Sequence, residues 1–176
     1  MKSSLKTQDS EKNIYKWIND LGSLNGLIRL EARSQLIKVG VNAGPALIQA
    51  LSRGNQHARG EAAKTLAIIR DPSAAPALVH TLEDEDLDVR CAAIEALIPL
   101  NREGLEPLLQ ALMRNVGSVW LREGAHNILN VLKKQTKLRQ PSLNVLRALE
   151  GVEPEMTVPG VAEAAWELLF GPEKEK

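Results

Sequence analysis

The sequence predicts an all-α fold, an α-solenoid of five stacked helical hairpins with about ten helices. Three observations predict it, and all rest on one recurring block. IRLEARSQL (28–36), ARGEAAKTL (58–66), VRCAAIEAL (89–97), LREGAHNIL (121–129) and GVAEAAWEL (160–168) align when anchored on Arg29, Arg59, Arg90, Arg122 and Val161. The anchors are 30, 31, 32 and 39 residues apart, a period typical of stacked two-helix repeats. First, Ala32, Ala62, Ala93, Ala125 and Ala164 form a column three residues after the anchors. Second, Leu36, Leu66, Leu97, Leu129 and Leu168 form another, four residues later. Third, Asn25, Asn55, Asp86, Ser118 and Thr157 stand four residues before the anchors. These side chains accept the free N–H groups of a helix's first turn, so each block opens a helix.

Within each block, positions −1, +3, +7 and +10 from the anchor share one helical face and form the expected buried stripe. The alanine at +3 lets a neighbouring helix approach closely. A shorter apolar run precedes each block. GPALIQAL (44–51), APALVHTL (75–82) and EPLLQALM (106–113) each carry a proline near their start, at Pro45, Pro76 and Pro107. Proline is tolerated in a first turn, so these runs read as the first helices of pairs. QPSLNVLRAL (140–149) and NIYKWINDL (13–21) fill that place in the last and first repeats. The expected helices are 11–22, 26–39, 44–52, 57–70, 73–83, 87–100, 104–114, 118–134, 139–150 and 159–170, with residues 151–157 as a turn. Residues 11–171 are expected to be a single domain, flanked by tails at 1–10 and 172–176.

Composition removes several function classes. Apolar residues make up 44% of the chain, too many for a disordered one. Lys plus Arg equals Asp plus Glu, at 22 each, so no net field draws the chain to an anionic membrane or to nucleic acid. Cys91 is the only cysteine, so no disulfide forms within the chain. Together with an N-terminus lacking the apolar core of a signal peptide, this leads to the expectation of a cytoplasmic protein. No stretch approaches the run of about 20 apolar residues that spans a bilayer, so no membrane span is expected.

The segment ARGEAAKTLAIIRDPSAAPALVHTLEDEDLDVRCAAIEAL (58–97) closely resembles HEAT repeats of the phycobilisome-lyase type. Arg59, Ala62, Leu66, Asp71, Pro72, Leu78, Asp84, Asp86, Val89, Arg90, Ala93 and Leu97 carry the resemblance, which is strongest over 25–134. It implies a solenoid whose second helices line a concave face. It also implies two uses, as a scaffold or as a subunit of enzymes that attach or detach bilin pigments. No lyase-specific motif is present beyond the repeat itself.

Catalytic, metal and cofactor residues are not expected. His57, His80 and His126 lack a second ligand at metal spacing. Cys91 reads as a small structural thiol. EDEDLD (83–88) lacks the glycine and terminal glutamate of a calcium loop; Asp86 caps a helix there and its neighbours favour the positive helix end. From Gly124 to Leu149 there is no acid, while Lys133, Lys134, Lys137, Arg139 and Arg147 occur. Zero net charge and the absence of interleaved aromatics weigh against nucleic acid there. Arg29, Arg59, Arg90 and Arg122 are expected to form a structural ladder between repeats.

The face opposite the buried stripe, at +1, +5 and +8, is the expected partner surface. Leu30, Cys91 and Glu123 represent the first row, and Lys64, Glu95, Asn127 and Trp166 the second. Trp120 at −2 and Trp166 are the expected anchors, since tryptophan is enriched in binding hot spots. Trp166 with Phe170 could instead close the end of the solenoid. The expected function is a non-catalytic protein-binding scaffold, acting through the concave face or the C-terminal end. A bilin-lyase-like subunit is the alternative, and a nucleic-acid binder the second alternative.

Overall fold

The computed structural model of the protein describes residues 12–135 and 137–172, so the tails expected at 1–10 and beyond Pro172 lie outside it. Residues 12–20 form α1. It is followed by α2 (Gly26–Val39), α3 (Gly44–Arg53), α4 (Gln56–Ile69), α5 (Ala75–Thr81), α6 (Leu87–Leu97), α7 (Arg102–Arg114), α8 (Val119–Lys134), α9 (Gln140–Leu149) and α10 (Pro154–Phe170). Short 3-10 turns at 40–43, 72–74 and 98–100 lead into α3, α5 and α7. No strand occurs among the described residues. The fold is the expected α-solenoid of five hairpins.

The capping column holds in four of five copies. Asn25 accepts from Leu27 N at 2.9 Å, Asn55 from Ala58 N at 3.0 Å, Asp86 from Val89 N at 3.1 Å and Ser118 from Leu121 N at 3.3 Å. Each bond satisfies a donor that the first turn would otherwise leave unpaired. At the other end of α2, Gly40 takes φ +69°, which glycine adopts without Cβ strain. Its N–H returns to the carbonyls of Leu36 and Ile37.

The predicted stripe becomes the core. Ala62, Ala93 and Ala125 are fully buried, as are Leu36, Leu66, Leu97 and Leu129 at +7. The second helices α2, α4, α6 and α8 stack on one another, and so do the first helices α3, α5 and α7. At α8 the approach is tight. A Cβ on Gly124 would stand 3.1 Å from Leu82 Cδ2, a separation side chains rarely tolerate.

The last repeat departs from the prediction. Its second helix begins at Pro154, not at 159, and Thr157 lies inside it, bonding back to the Glu153 carbonyl at 3.2 Å instead of capping. Pro159, expected in the first turn, is inside the helix, as is Pro107 of α7. The buried residues of α10 are Val158, Ala162 and Ala165, while Leu168 is 75% exposed. The stripe is therefore displaced by two residues, and Ala162, not Ala164, occupies the alanine column.

The order of layers also reverses there. α9 packs on α8, and α10 packs on α7 and α9. The last hairpin thus presents its second helix to the first-helix row. Trp166, Leu169 and Phe170 are partly buried against the core in this arrangement. At the other end, Ile28 occupies the −1 column, buried in repeats two to four, yet is 43% exposed. Leu24, Leu27 and Leu30 beside it are exposed as well.

Candidate functional site

The anchor arginines organise the edge where the turns meet the second helices. Each folds back on the turn preceding its own helix. Arg29 Nη1 donates to the Ser23 carbonyl at 2.7 Å, Arg90 Nη1 to Asp84 at 2.7 Å and Arg122 Nη1 to Val116 at 2.5 Å. Arg59 Nη1 reaches Gly54 at 3.3 Å. Three of the four then extend to the next repeat, as the ladder requires. Arg59 forks onto Asp84, with Nε to Oδ2 at 2.7 Å and Nη2 to Oδ1 at 2.9 Å. Arg90 lies 4.6 Å from the Trp120 ring centroid, and Arg122 pairs with Glu155 at 3.0 Å.

The Arg59–Asp84 pair is the shielded member, with side chains 16% and 9% exposed. Burial opposes the Asp84 charge. The Arg59 fork, the Asp86 N–H and the charges of Arg59 and Arg90 outweigh it, holding the carboxyl below its ordinary range. The hydrogen bond to Asp84 correspondingly raises Arg59, against the opposing effect of burial.

On the exposed side of the second-helix row, three shallow hollows follow one another. The first, about 210 Å³, includes Lys64, Gly60, His57 and Asp86. The second, about 470 Å³, brings together Cys91, Glu95 and Asn127 with Ile94 and Lys134. The third, about 360 Å³, adds Glu123, His126, Arg122 and Leu149, and shares Asn127. Between the first hollow and α2, Glu61 receives Arg33 at 2.7 Å and Lys64 at 3.4 Å, a link between repeats that the sequence reading missed.

Four of the expected surface residues, Cys91, Glu95, Glu123 and Asn127, thus line adjoining hollows. Lys64 lies one repeat earlier on the same row, and Leu30 is exposed near the N-terminal end. Trp120 is 43% exposed and carries Arg90 on its face. Trp166 is placed differently from expectation. The two-residue displacement takes it off the +5 row, and it packs against the core with its Nε1 shielded from solvent and unpartnered.

Among the described residues, no group of three or more His, Cys, Asp or Glu could hold a metal ion. His126 has Asn130 at 3.0 Å and Glu150 at 3.5 Å, while Cys91 is exposed. No helix among the described residues is long and apolar enough to cross a membrane. The basic stretch does not form one face: Lys134 lines the second hollow, Arg147 bonds Asn144, and Lys137 and Arg139 line a separate cleft. That cleft also involves Arg102 and Ser142, which the sequence reading did not single out because they are remote in the chain or apparently unremarkable on a helix. A further hollow of about 660 Å³ lies between the ends of α1 and α3 and the start of α4, where turn residues such as Gly22, Ser23 and Gly54 meet helix residues of α3 and α4.

The family model for HEAT repeats matches residues 44–125. No curated protein matches the sequence. Among solved structures, a chain of the complex of CpcE and CpcF of phycocyanin lyase from Nostoc sp. PCC7120 is similar, with 25% identity and a TM-score of 0.57. The likeness covers 86% of this chain and 96% of that one. Residues 44–125 are thus HEAT repeats, and the hairpins of the chain resemble those of the phycobilisome-lyase type.

Proposed function

We propose that this protein is a bilin-lyase-like subunit, a solenoid that holds a phycobiliprotein while its pigment is attached or removed. The observation that carries this reading is the likeness to a phycocyanin-lyase chain along 96% of that chain. The exposed row from Lys64 to Asn127 supports it, being long, shallow and mixed in charge, as suits a protein segment more than a small substrate.

Co-expression with an apo-phycobiliprotein and its bilin tests the reading directly, with and without a candidate second lyase subunit. The expected result is covalent pigment on the phycobiliprotein, seen by absorbance and by zinc-induced fluorescence in denaturing gels. Trp120→Ala should weaken capture of that phycobiliprotein by about 2 kcal/mol, roughly thirtyfold, as hot-spot truncations do. Trp166→Ala serves as the comparison from the packed end. Absence of pigment transfer in every combination would sink the lyase reading. If the phycobiliprotein is still captured, the protein acts as a non-catalytic scaffold. The exposed Leu24, Leu27, Ile28 and Leu30 at the N-terminal end favour that second reading, because they offer apolar contact area away from the hollows.

A further inference from the structure

A cleft of about 400 Å³ opens where the start of α7, residues 137–139 with the start of α9, and the end of α10 converge. Three cations border it, Arg102, Lys137 and Arg139, and among the described residues no acid does. Arg102 is fixed in place by its bond to the Leu169 carbonyl at 2.7 Å and by the Phe170 ring at 4.8 Å. Lys137 and Arg139 make no ion pair among the described residues. The cleft also meets the N-terminus of α9, which has no side-chain cap. Pro141 contributes no N–H, and the Gln140 side chain turns away to Asn144. An uncapped helix start beside three cations favours an anion.

Two further atoms narrow the anion's identity. Ser142, at the floor of the cleft, is fully buried, and its hydroxyl has no hydrogen-bond partner. Left in that state it carries a desolvation cost that a bound oxyanion would offset. Asn101 also lines the cleft. Its Nδ2 donates to the Pro99 carbonyl at 3.0 Å, which fixes the amide's orientation, while its Oδ1 is shielded and unpartnered. That oxygen is an acceptor and calls for a donor on the ligand. Leu105, Leu169 and Phe170 supply an apolar wall.

We propose that the cleft binds an acylated apolar amino acid. Its carboxylate would lie on Lys137, Arg139, the α9 N-terminus and Ser142, its amide N–H on Asn101, and its side chain on the apolar wall. The same chemistry is carried by a free acylamino acid and by the last residue of a peptide chain. It is independent of the lyase reading and uses no residue of the hollows.

Titration of the full chain with N-acetyl-leucine, followed by ¹⁵N NMR, tests it. The expected result is saturable shifts at Leu105, Gln140, Ser142 and Phe170. N-acetyl-leucinamide, which lacks the carboxylate, and octanoate, which lacks the N–H, should each bind about tenfold more weakly. A glycine peptide ending in leucine that binds more tightly than N-acetyl-leucine assigns the site to a protein C-terminus; equal or weaker binding assigns it to the free compound. The double variant K137Q/R139Q should lose about tenfold in affinity. Ser142→Ala should raise the melting temperature of the free protein and lower the affinity. Binding of the amide as tight as that of the acid, shifts outside the cleft, or a Ser142→Ala variant that is stabilised with unchanged affinity would each overturn the proposal.

Discussion

Arg59 joins two repeats and clamps its own turn with a single guanidinium, because its planar fork offers donors in several directions at once. The partner carboxylate carries the pH dependence. Asp84 has a folded-state pKa below its unfolded value. Its contribution is therefore complete above the unfolded value, about 3.9, and is lost as pH falls through the lower folded value. Urea melts from pH 6 downward should show stability declining on acidification, and Asp84→Asn should flatten that decline. At pH 7 the same variant should cost about 2 kcal/mol, since it removes the shielded counter-charge of Arg59 and leaves only the exposed Glu85 at 3.3 Å. A cost below about 0.5 kcal/mol would place the pair among ordinary surface bridges. Leucine truncations test the core in the same way. Leu66→Ala and Leu97→Ala should each cost about 2–5 kcal/mol. Leu168→Ala, in the same column by sequence but exposed by structure, should fall within about 0.5 kcal/mol.

At the level of helices, the four working caps make a matched series. Asn55→Ala and Ser118→Ala should each lose about 1 kcal/mol in thermal or urea melts, whereas Thr157→Ala should lose almost nothing, because its hydroxyl bonds back within α10. Equal losses at all three would restore Thr157 to the capping role that its spacing suggests. This contrast also explains what the sequence could disclose. Caps at Asn25, Asn55, Asp86 and Ser118 were legible because a cap is a local bond between residues two or three apart. The last helix misled because it offers two plausible starts, Thr157 with Pro159 and Glu153 with Pro154. Two interleaved sets of alanines and leucines also fit its stripe. Only packing on α7 selects Val158, Ala162 and Ala165. The hollows were half legible for a similar reason. Cys91, Glu95 and Asn127 follow from helical spacing, but the cleft gathers Arg102, Lys137 and Ser142 from three elements, and no spacing rule connects them.

For the whole molecule, stability is a sum over neighbouring repeats, so the two ends carry unequal burdens. The C-terminal end is closed by α9 and α10, whose aromatic and aliphatic side chains pack on the core. Removing residues 137–172 should strip the apolar faces of α7 and α8. The truncated chain should then elute as aggregates in size-exclusion chromatography, while a monomeric, cooperatively melting product would show that the cap is dispensable. Among the described residues, the N-terminal repeat is the more exposed, with Leu24 88% and Ile28 43% exposed. Reversal of the layers in the last hairpin has a consequence for symmetry. Indefinite head-to-tail growth requires the two ends of a molecule to be complementary, so that one contact repeats along a filament. Here the second-helix row meets α9 at one terminus and begins with α2 at the other, so an incoming copy finds no continuation of its own stack. Two copies joined through their N-terminal ends would instead be related by a twofold axis, and such an association closes at two. Sedimentation over a hundredfold concentration range should therefore show no species larger than a dimer, because the reversed last hairpin offers no continuation of the second-helix row.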